Sequence, residues 1–147
     1  MPKPTSKSDA ARMLSGMWRF SRAFTHSVEP RLKERHGLEL RTYFLLKGIQ
    51  HGPAYPKTLA NKLEVPSSLM SRYLDGLQKD GLIDRRIDPQ DSRRVILSLT
   101  DKGERTVREV DDLMNELASQ RLARLDDETL SAFLRGLDIL TSEEGHE

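Results

Sequence analysis

The stretch that decides the fold is PSSLMSRYLDGLQKDGLIDRRIDPQDSRRVILSLTDKG, which covers residues 66–103. Its first half repeats apolar residues at three- and four-residue steps: Leu69, Met70, Tyr73, Leu74 and Leu77. This period predicts a helix over about residues 66–80 that buries those side chains, and Gly81 predicts a left-handed cap at its end. From Leu82 the apolar period falls to two, so we expect a hairpin to follow the helix.

The hairpin is predicted from two candidate strands. Leu82-Ile83 is the first strand, and residues 95–99 (VILSL) are the second. Residues 84–94 between them are mostly charged and contain a proline, so they predict a hairpin tip standing in solvent. Four arginines lie on this ribbon: Arg85, Arg86, Arg93 and Arg94.

A second, shorter helix is predicted upstream, from about Pro56 to Leu63, with a tight turn at Glu64-Val65. Two helices joined by a tight turn form a helix-turn-helix, whose second helix enters the major groove of DNA with its N-terminal residues at the base edges. The candidate contacts on that second helix are Ser67, Ser68, Ser71 and Arg72. Arginine can bind guanine through two hydrogen bonds, and serine can serve several base edges.

Two interpretations of the first serines remain open. Hydroxyls at a helix N-terminus suit phosphate contact, yet Ser67 and Ser68 would also cap the helix whatever the function. Capping does not account for Arg72.

The hairpin arginines also allow two interpretations. Asp91 lies two residues before Arg93, so its carboxylate could hold that arginine extended toward a groove, and a narrow minor groove attracts arginine. The alternative is a solvated turn in which aspartates and arginines neutralise one another.

The charge of the chain is unevenly distributed. Residues 1–100 carry 18 Lys and Arg against 10 Asp and Glu, a net +8, whereas residues 101–147 carry 6 against 13, a net −7. One face could therefore meet a polyanion, or helical faces of opposite sign could pack on each other. The chain has no cysteine, which excludes disulfides, Cys-zinc sites and thiol redox sensors. Its four histidines are scattered, so we expect no metal and no cofactor.

Helices are also predicted on both sides of this central block, over about residues 8–36, 40–50 and 101–124 and from Asp127 onward. Asp126 should cap the last helix, which we expect to bury the apolar residues of one face: Leu130, Phe133, Leu134, Leu137 and Leu140. Residues 1–7 are interpreted as a disordered arm and residues 8–147 as a single domain. The predicted fold class is mainly α with a small β hairpin.

Residues 54–103 resemble the winged helix-turn-helix of the MarR (multiple antibiotic resistance regulator) family. The residues that carry the resemblance are Leu59-Ala60, Ser71-Arg72, Gly81-Leu82-Ile83, the DPQDSRR of residues 88–94 and the LSLTDKG of residues 97–103. The order of the flanking helices agrees with the family over about residues 8–142. One departure is Gly76, where many members carry an arginine that can reach phosphate.

The resemblance implies a transcriptional regulator that binds double-stranded DNA at a pseudo-palindromic operator, and not an enzyme. It further implies a homodimeric repressor, with residues 54–99 as the winged helix-turn-helix and residues 8–36 and 101–142 as dimerisation helices. The apolar excess of the terminal helices favours a dimer independently, although an intrachain bundle of the same helices is the alternative. The residues of that excess are Met13, Met17, Phe20, Phe24, Leu130, Phe133, Leu134 and Leu137.

Family members are often released from DNA by a small anionic or aromatic ligand, so a phenolic or carboxylate effector is implied. The candidate lining residues are Trp18, Phe20, Arg22, His26, Tyr43 and Phe44. The alternative is that these six are ordinary core residues and one surface arginine.

Two other function classes fit the sequence less well than DNA binding does. An enzyme is disfavoured because no nucleophile–base pair, Gly-rich phosphate loop or carboxylate dyad is present. A winged helix used for protein contacts would have an apolar hairpin, whereas this hairpin carries four arginines. No apolar run is long enough for a membrane span and no secretory signal is evident, so we expect no membrane contact and a cytoplasmic protein.

Overall fold

The computed structural model describes residues 6–52 and 54–142. The elements in chain order are α1 (Lys7–His36), α2 (Leu40–Gln50), α3 (Pro56–Lys62), α4 (Ser67–Lys79), β1 (Ile83–Asp88), β2 (Asp91–Leu99), α5 (Asp101–Leu122) and α6 (Asp127–Thr141). The prediction of a mainly helical fold with one antiparallel hairpin is confirmed.

The first helix starts from a capping box. The Ser6 hydroxyl accepts a hydrogen bond from the Asp9 backbone N–H at 3.1 Å, and the Asp9 carboxylate accepts one from the Ser6 N–H at 3.3 Å. The helix therefore begins at Lys7, one residue earlier than expected, and Lys7 does not belong to a disordered arm. Residues 1–5, the rest of the predicted arm, lie outside the described residues.

The core lies where the C-terminal half of α1, α2, α4 and α5 meet. Its best-buried side chains are Val28, Leu32, Leu45, Leu46, Met70, Leu74, Val107 and Val110. On α4, the predicted positions Met70, Leu74 and Leu77 are buried, while Leu69 and Tyr73 are half-buried. This core fixes α4 against the rest of the chain and leaves its opposite face exposed.

The hairpin is longer than expected: residues 84–94 are largely exposed, as predicted, but most of them belong to its strands and not to a tip. Pairing continues to Asp88 opposite Asp91, so only Pro89 and Gln90 lie between the strands. The ladder extends through the charged residues because its hydrogen bonds join backbone groups, and side chains of any polarity can stand out from a two-stranded ribbon. Apolar alternation marks only the buried root of the ribbon, at Ile83 and Leu97.

A close backbone approach holds the root of the hairpin to α5. The Thr100 hydroxyl donates to the Gly81 carbonyl at 2.6 Å and accepts from the Gly103 N–H at 3.0 Å. A Cβ atom at Gly103 would lie 2.1 Å from the Leu82 carbonyl oxygen. This contact explains physically why glycine stands three residues after Thr100.

The last helix packs differently from the prediction. Asp126 caps it as expected, accepting a hydrogen bond from the Thr129 N–H at 2.7 Å. Its apolar face is not buried within one chain, however: Phe133 is 46% exposed and Leu137 is 40% exposed. The apolar period of α6 is therefore that of a buried face, but nothing in residues 6–52 and 54–142 covers it.

Candidate nucleic-acid interface

The exposed face of α4 carries all four residues that the sequence predicts as DNA contacts on this helix. Ser67, Ser68, Ser71 and Arg72 are exposed, on the side away from the buried stripe. In an amphipathic helix of this kind, one face packs against the core, and the other face remains free to contact solvent or a partner.

The capping interpretation of the first two serines is wrong. Pro66 occupies the N-cap position of α4, and no side chain caps the helix. Ser67 and Ser68 instead lie inside the first turn, where backbone N–H groups have no partner within the helix. Hydroxyl and N–H donors at an exposed helix N-terminus are the groups that bind phosphate oxygens.

A further guanidinium lies beside α4. Arg41 of α2 is exposed and donates a hydrogen bond to the Tyr73 hydroxyl at 3.0 Å. This contact joins residues 32 positions apart in the chain. No local sequence pattern could have indicated it.

The tip of the hairpin, here called the wing, contains an organised pair of arginines. One Asp91 carboxylate oxygen accepts hydrogen bonds from the Arg93 backbone N–H at 3.1 Å and from its Nε at 3.2 Å. The other oxygen lies 3.7 Å from the Nε of Arg94. The predicted contact between Asp91 and Arg93 is present, and its role in directing Arg93 toward a DNA groove stays a prediction. These hydrogen bonds, above all the one from the backbone N–H, lower the pKa of the Asp91 carboxyl below its usual value, so the aspartate is ionised at neutral pH.

The four hairpin arginines do not act as one group. Arg85 is half-buried, and its Nη2 lies 2.8 Å from a carboxylate oxygen of Asp75 on α4. This ion pair connects α4 to β1. Arg86, Arg93 and Arg94 are exposed and remain accessible to a partner.

Tyr55, in the linker before α3, contacts the wing and was not predicted. Its hydroxyl donates to Asp88 at 3.0 Å, although 33 residues separate the two. The guanidinium carbon of Arg94 lies 5.2 Å from the centre of the Tyr55 ring, which is a cation–π distance. The wing is therefore fixed to the helix-turn-helix by side chains as well as by the backbone.

Residues 44–95, which contain this helix-turn-helix and most of the wing, match the sequence model of the MarR family. The match spans 52 of the 147 residues. Together with the sequence resemblance, it supports a DNA-binding transcriptional regulator of MarR type.

Two curated relatives are HTH-type transcriptional regulators. The HTH-type transcriptional regulator BilQ of Clostridium symbiosum is 29% identical over 96 residues, which cover 65% of this chain and 67% of BilQ. The uncharacterized HTH-type transcriptional regulator YkoM of Bacillus subtilis is 30% identical over 87 residues. That match covers 57% of this chain and little more than half of YkoM, 56% of its length.

Solved structures share the fold over nearly the whole chain. RV1404 of Mycobacterium tuberculosis is 25% identical with a TM-score of 0.77, covering 100% of this chain and 99% of its own. Streptococcus pneumoniae FabT, solved in complex with DNA, has a TM-score of 0.76 at 20% identity, covering 89% and 94% of the two chains. M. tuberculosis RV2887, solved with p-aminosalicylic acid, has a TM-score of 0.70 at 22% identity, covering 86% and 95%.

The six predicted ligand residues do not converge on one site. Trp18 is 62% exposed, with the Arg22 guanidinium 5.4 Å from its ring centre, and His26 is exposed. Tyr43 is buried, and its hydroxyl donates to Asp111 of α5. Phe20 lines a groove between α1 and α6.

Phe44 alone of the six lines a cavity next to the helix-turn-helix. This cavity has a volume of about 620 Å³ and lies between α1, α2 and the start of α4. Its other lining residues include Leu40, Arg41, Val65 and Leu69.

Within the described part of the chain, no helix is both long and apolar enough to cross a membrane.

Proposed function

We propose that this chain is a homodimeric repressor that binds a pseudo-palindromic operator in double-stranded DNA. The observation that carries the proposal is the exposed Ser71-Arg72 face of α4 beside a wing whose Asp91 carboxylate holds two arginines. One chain then offers a helix for the major groove and guanidinium groups for a narrow minor groove. Acting on DNA, the protein would work in the cytoplasm.

The division of labour within this interface follows from the contacts. Arg72, with Ser71 beside it, would read base edges. Ser67 and Ser68 would bind phosphate at the N-terminus of α4, with Arg86 as a further phosphate anchor. Arg93 and Arg94 would enter the minor groove from the wing. Arg85 would support the interface through Asp75 and contact DNA less directly.

The dimer is proposed from apolar surface that one chain leaves uncovered. A groove of about 850 Å³ runs between α1 and α6, and its apolar lining is Met13, Met17, Phe20, Phe133 and Leu137. None of the α6 side chains is buried in the single chain. Monomeric proteins rarely expose a contiguous apolar patch of more than a few hundred Å², so a second copy of the same helices is the occupant that fits.

Release by a small ligand is proposed from the cavity beside the helix-turn-helix. Phe44 offers an aromatic wall, and Arg41 offers a positive charge for a carboxylate or phenolate. RV2887, which shares the fold, has been solved with p-aminosalicylic acid, an aromatic carboxylate. A ligand wedged between α2 and the start of α4 would change the position of α4 and so weaken DNA binding.

The first test measures DNA affinity at two salt concentrations. Duplexes selected by the wild-type chain from a random pool should bind more tightly than unselected duplexes, by on the order of 10³-fold or more. Binding to both should weaken steeply as salt rises, because each phosphate contact releases counterions. A chain with no selectivity and no salt dependence would contradict DNA recognition. A reporter gene placed behind a selected duplex then tests repression, and salicylate in the same assay tests release.

A further inference from the structure

We propose that Tyr55 is a positioning residue for the wing: it sets the angle between the hairpin and the helix-turn-helix and aims Arg94. The inference rests on the proposed DNA-binding function, because its consequence is which base pairs the wing can read. Three separate contacts support it, one from the tyrosine hydroxyl, one from its ring and one from the neighbouring backbone.

The hydroxyl contact reaches the turn of the wing. Tyr55 donates to one carboxylate oxygen of Asp88 at 3.0 Å, and the other oxygen accepts from the Gln90 backbone N–H at 2.9 Å. Asp88 is only 7% exposed, although it stands at the end of a strand in an otherwise exposed ribbon. A buried carboxylate needs its hydrogen bonds, so Tyr55 and the turn are held together through Asp88.

The ring contact reaches the arginine pair. The Arg94 guanidinium carbon lies 5.2 Å from the ring centre, and its Nε lies 3.7 Å from Asp91. Arg94 is thus directed by an aromatic face on one side and a carboxylate on the other. Among the described residues, the Arg93 guanidinium is paired with the Asp91 carboxylate and with no aromatic ring.

The backbone places Tyr55 at the junction of the two DNA-binding parts. The Ala54 carbonyl accepts a hydrogen bond from the Leu97 N–H of β2 at 2.8 Å, and the Tyr55 carbonyl accepts from the Leu59 N–H of α3 at 2.9 Å. Tyr55 occupies the N-cap of α3, yet its side chain makes no capping hydrogen bond there. The side chain is used instead to reach the wing.

The functional consequence follows from two-point binding. A helix in the major groove and a wing in the adjacent minor groove bind as linked modules, whose combined affinity depends on how well their separation is fixed beforehand. Loosening the Tyr55 contacts should therefore first weaken the recognition of the base pairs that the wing contacts. Recognition by α4 should persist, because Met70, Leu74 and Leu77 bury this helix in the core and Tyr55 is not among the side chains packed against that core.

The experiment uses the full chain and a duplex that the wild type has selected from a random pool. Tyr55→Phe, which removes only the hydroxyl, should weaken binding to that duplex about threefold to tenfold. Tyr55→Leu, which also removes the ring, should weaken it further, to about 10- to 100-fold below wild type. Repeating the selection with each variant should show relaxed preference at the flanking A·T positions under the wing, with the preference under α4 retained. Tyr73→Phe is the control, because it removes a hydroxyl bonded to α2 and should leave the flanking preference unchanged.

The possible outcomes separate a failure of the proposed DNA-binding function from a failure of the role given to Tyr55. A wild-type chain that selects no sequence contradicts the proposed function itself. A selective wild type whose Tyr55→Phe and Tyr55→Leu variants keep the same affinity and flanking preference overturns the role of Tyr55. Equal loss at all positions together with lower thermal stability would show a merely structural role. If Tyr55→Leu fails to fold, Arg94→Gln replaces it: it spares the Tyr55–Asp88 hydrogen bond and should relax the same flanking positions, and unchanged flanks would overturn the proposal.

Discussion

Arg72 and Arg86 are both exposed guanidinium groups, but they stand on different elements. Arg72 lies on α4, where a two-pronged contact with guanine is possible. Arg72→Ala should therefore cost about 1–3 kcal/mol of binding free energy on the best duplex and relax its sequence preference. Arg86→Ala should weaken binding to all sequences about equally and reduce the salt slope by about one unit. Titrations on a selected and a random duplex at several salt concentrations measure both effects.

The result that contradicts this division is specific. Equal loss of affinity by Arg72→Ala on selected and random DNA would make Arg72 a phosphate anchor. Sequence-dependent loss by Arg86→Ala would place the wing arginine at base edges instead.

Asp91 allows a test in which charge and geometry predict opposite signs. Asp91→Ala adds a net positive charge, so a wing that supplies only charge would bind DNA more tightly. If the Asp91 carboxylate instead orients Arg93 and Arg94, Asp91→Ala should weaken specific binding. The expected loss is about two- to fivefold, because the contacts are exposed. Affinity on one selected duplex at fixed salt distinguishes the two.

The control for Asp91 is the double variant. With Arg93 already replaced by alanine, Asp91→Ala should weaken binding less than it does alone, since one of its two targets is gone. Tighter binding by the Asp91→Ala single variant would overturn the aiming role.

Tyr43 links α2 to α5 through a partly buried polar cluster. Its hydroxyl donates to Asp111, whose other carboxylate oxygen accepts from Lys47 at 3.1 Å. Burial, together with the hydrogen bond and the negative charge of Asp111, raises the pKa of Tyr43 above its usual value. Because the unfolded chain ionises this phenol near pH 10, the contribution of the neutral phenol to stability is complete below about pH 10 and declines as pH rises above it.

Tyr43→Phe should therefore lower the free energy of unfolding by about 1–2 kcal/mol at pH 7. The gap between wild type and variant should narrow above about pH 10, because only the wild type loses a proton there on unfolding. Urea unfolding at several pH values between 7 and 11 measures the gap, and a constant gap would contradict this account.

At the scale of elements, what the sequence predicts depends on where each element's stabilising contacts lie. α2 was predicted at Leu40–Gln50 and is found there, because its period and its breaks are local. The wing was predicted too short, because its outer half is held by backbone pairing and by Tyr55, neither of which leaves an apolar period. The α6 face that was predicted to be buried is exposed among the described residues, and a second copy of the chain would cover it if the dimer proposal holds.

The same distinction applies to the candidate site. The Asp91–Arg93 contact was predictable because the two residues are neighbours on one strand. The Arg85–Asp75 ion pair and the Tyr55–Asp88 hydrogen bond join different elements. Their partners become visible only once α4, the wing and the linker are placed together.

The junction between the hairpin and α5 gives a prediction about a whole element. Gly103→Ala would place a methyl group about 2.1 Å from the Leu82 carbonyl oxygen, so α5 must move away from β1. Overpacking of this kind costs about 1–3 kcal/mol, and more where backbone is the neighbour. Urea unfolding should show the loss of stability, and DNA affinity should fall because the wing loses its anchor.

Gly76→Ala is the matched control for stability. It also lies inside a helix, but a Cβ atom there would meet nothing within 4 Å. It should leave stability unchanged or raise it by about 0.5–1 kcal/mol, the helix preference of alanine over glycine. A Gly103→Ala variant as stable as Gly76→Ala would show that the backbone approach is not required.

At the scale of the molecule, the charge asymmetry has a structural counterpart. The helices α5 and α6 lie within the acidic part of the sequence, residues 101–147, whereas the exposed arginines of the candidate interface lie on α4 and the wing. A polyanion would therefore meet α4 and the wing, leaving α1 and α6 to present their exposed apolar side chains to a second copy.

The dimer proposal can be tested on two faces of one helix. Leu137 and Ile139 are both exposed on α6, at 40% and 67%, but at about 100° per residue they point roughly 200° apart. Leu137 lines the α1–α6 groove, so Leu137→Glu should give a monomer in sedimentation experiments at micromolar concentration. Ile139→Glu should remain a dimer.

The oligomeric state should also decide DNA binding. A dimer places two copies of α4 on half-sites about 10 base pairs apart, so its affinity contains two linked contacts, whereas a monomer has only one. Leu137→Glu should consequently lose most of its affinity for a selected palindromic duplex while keeping its fold by circular dichroism. Ile139→Glu should bind that duplex as the wild type does. A wild-type chain that sediments as a monomer, or a monomeric Leu137→Glu variant with full affinity, would show that α1 and α6 cover some other partner.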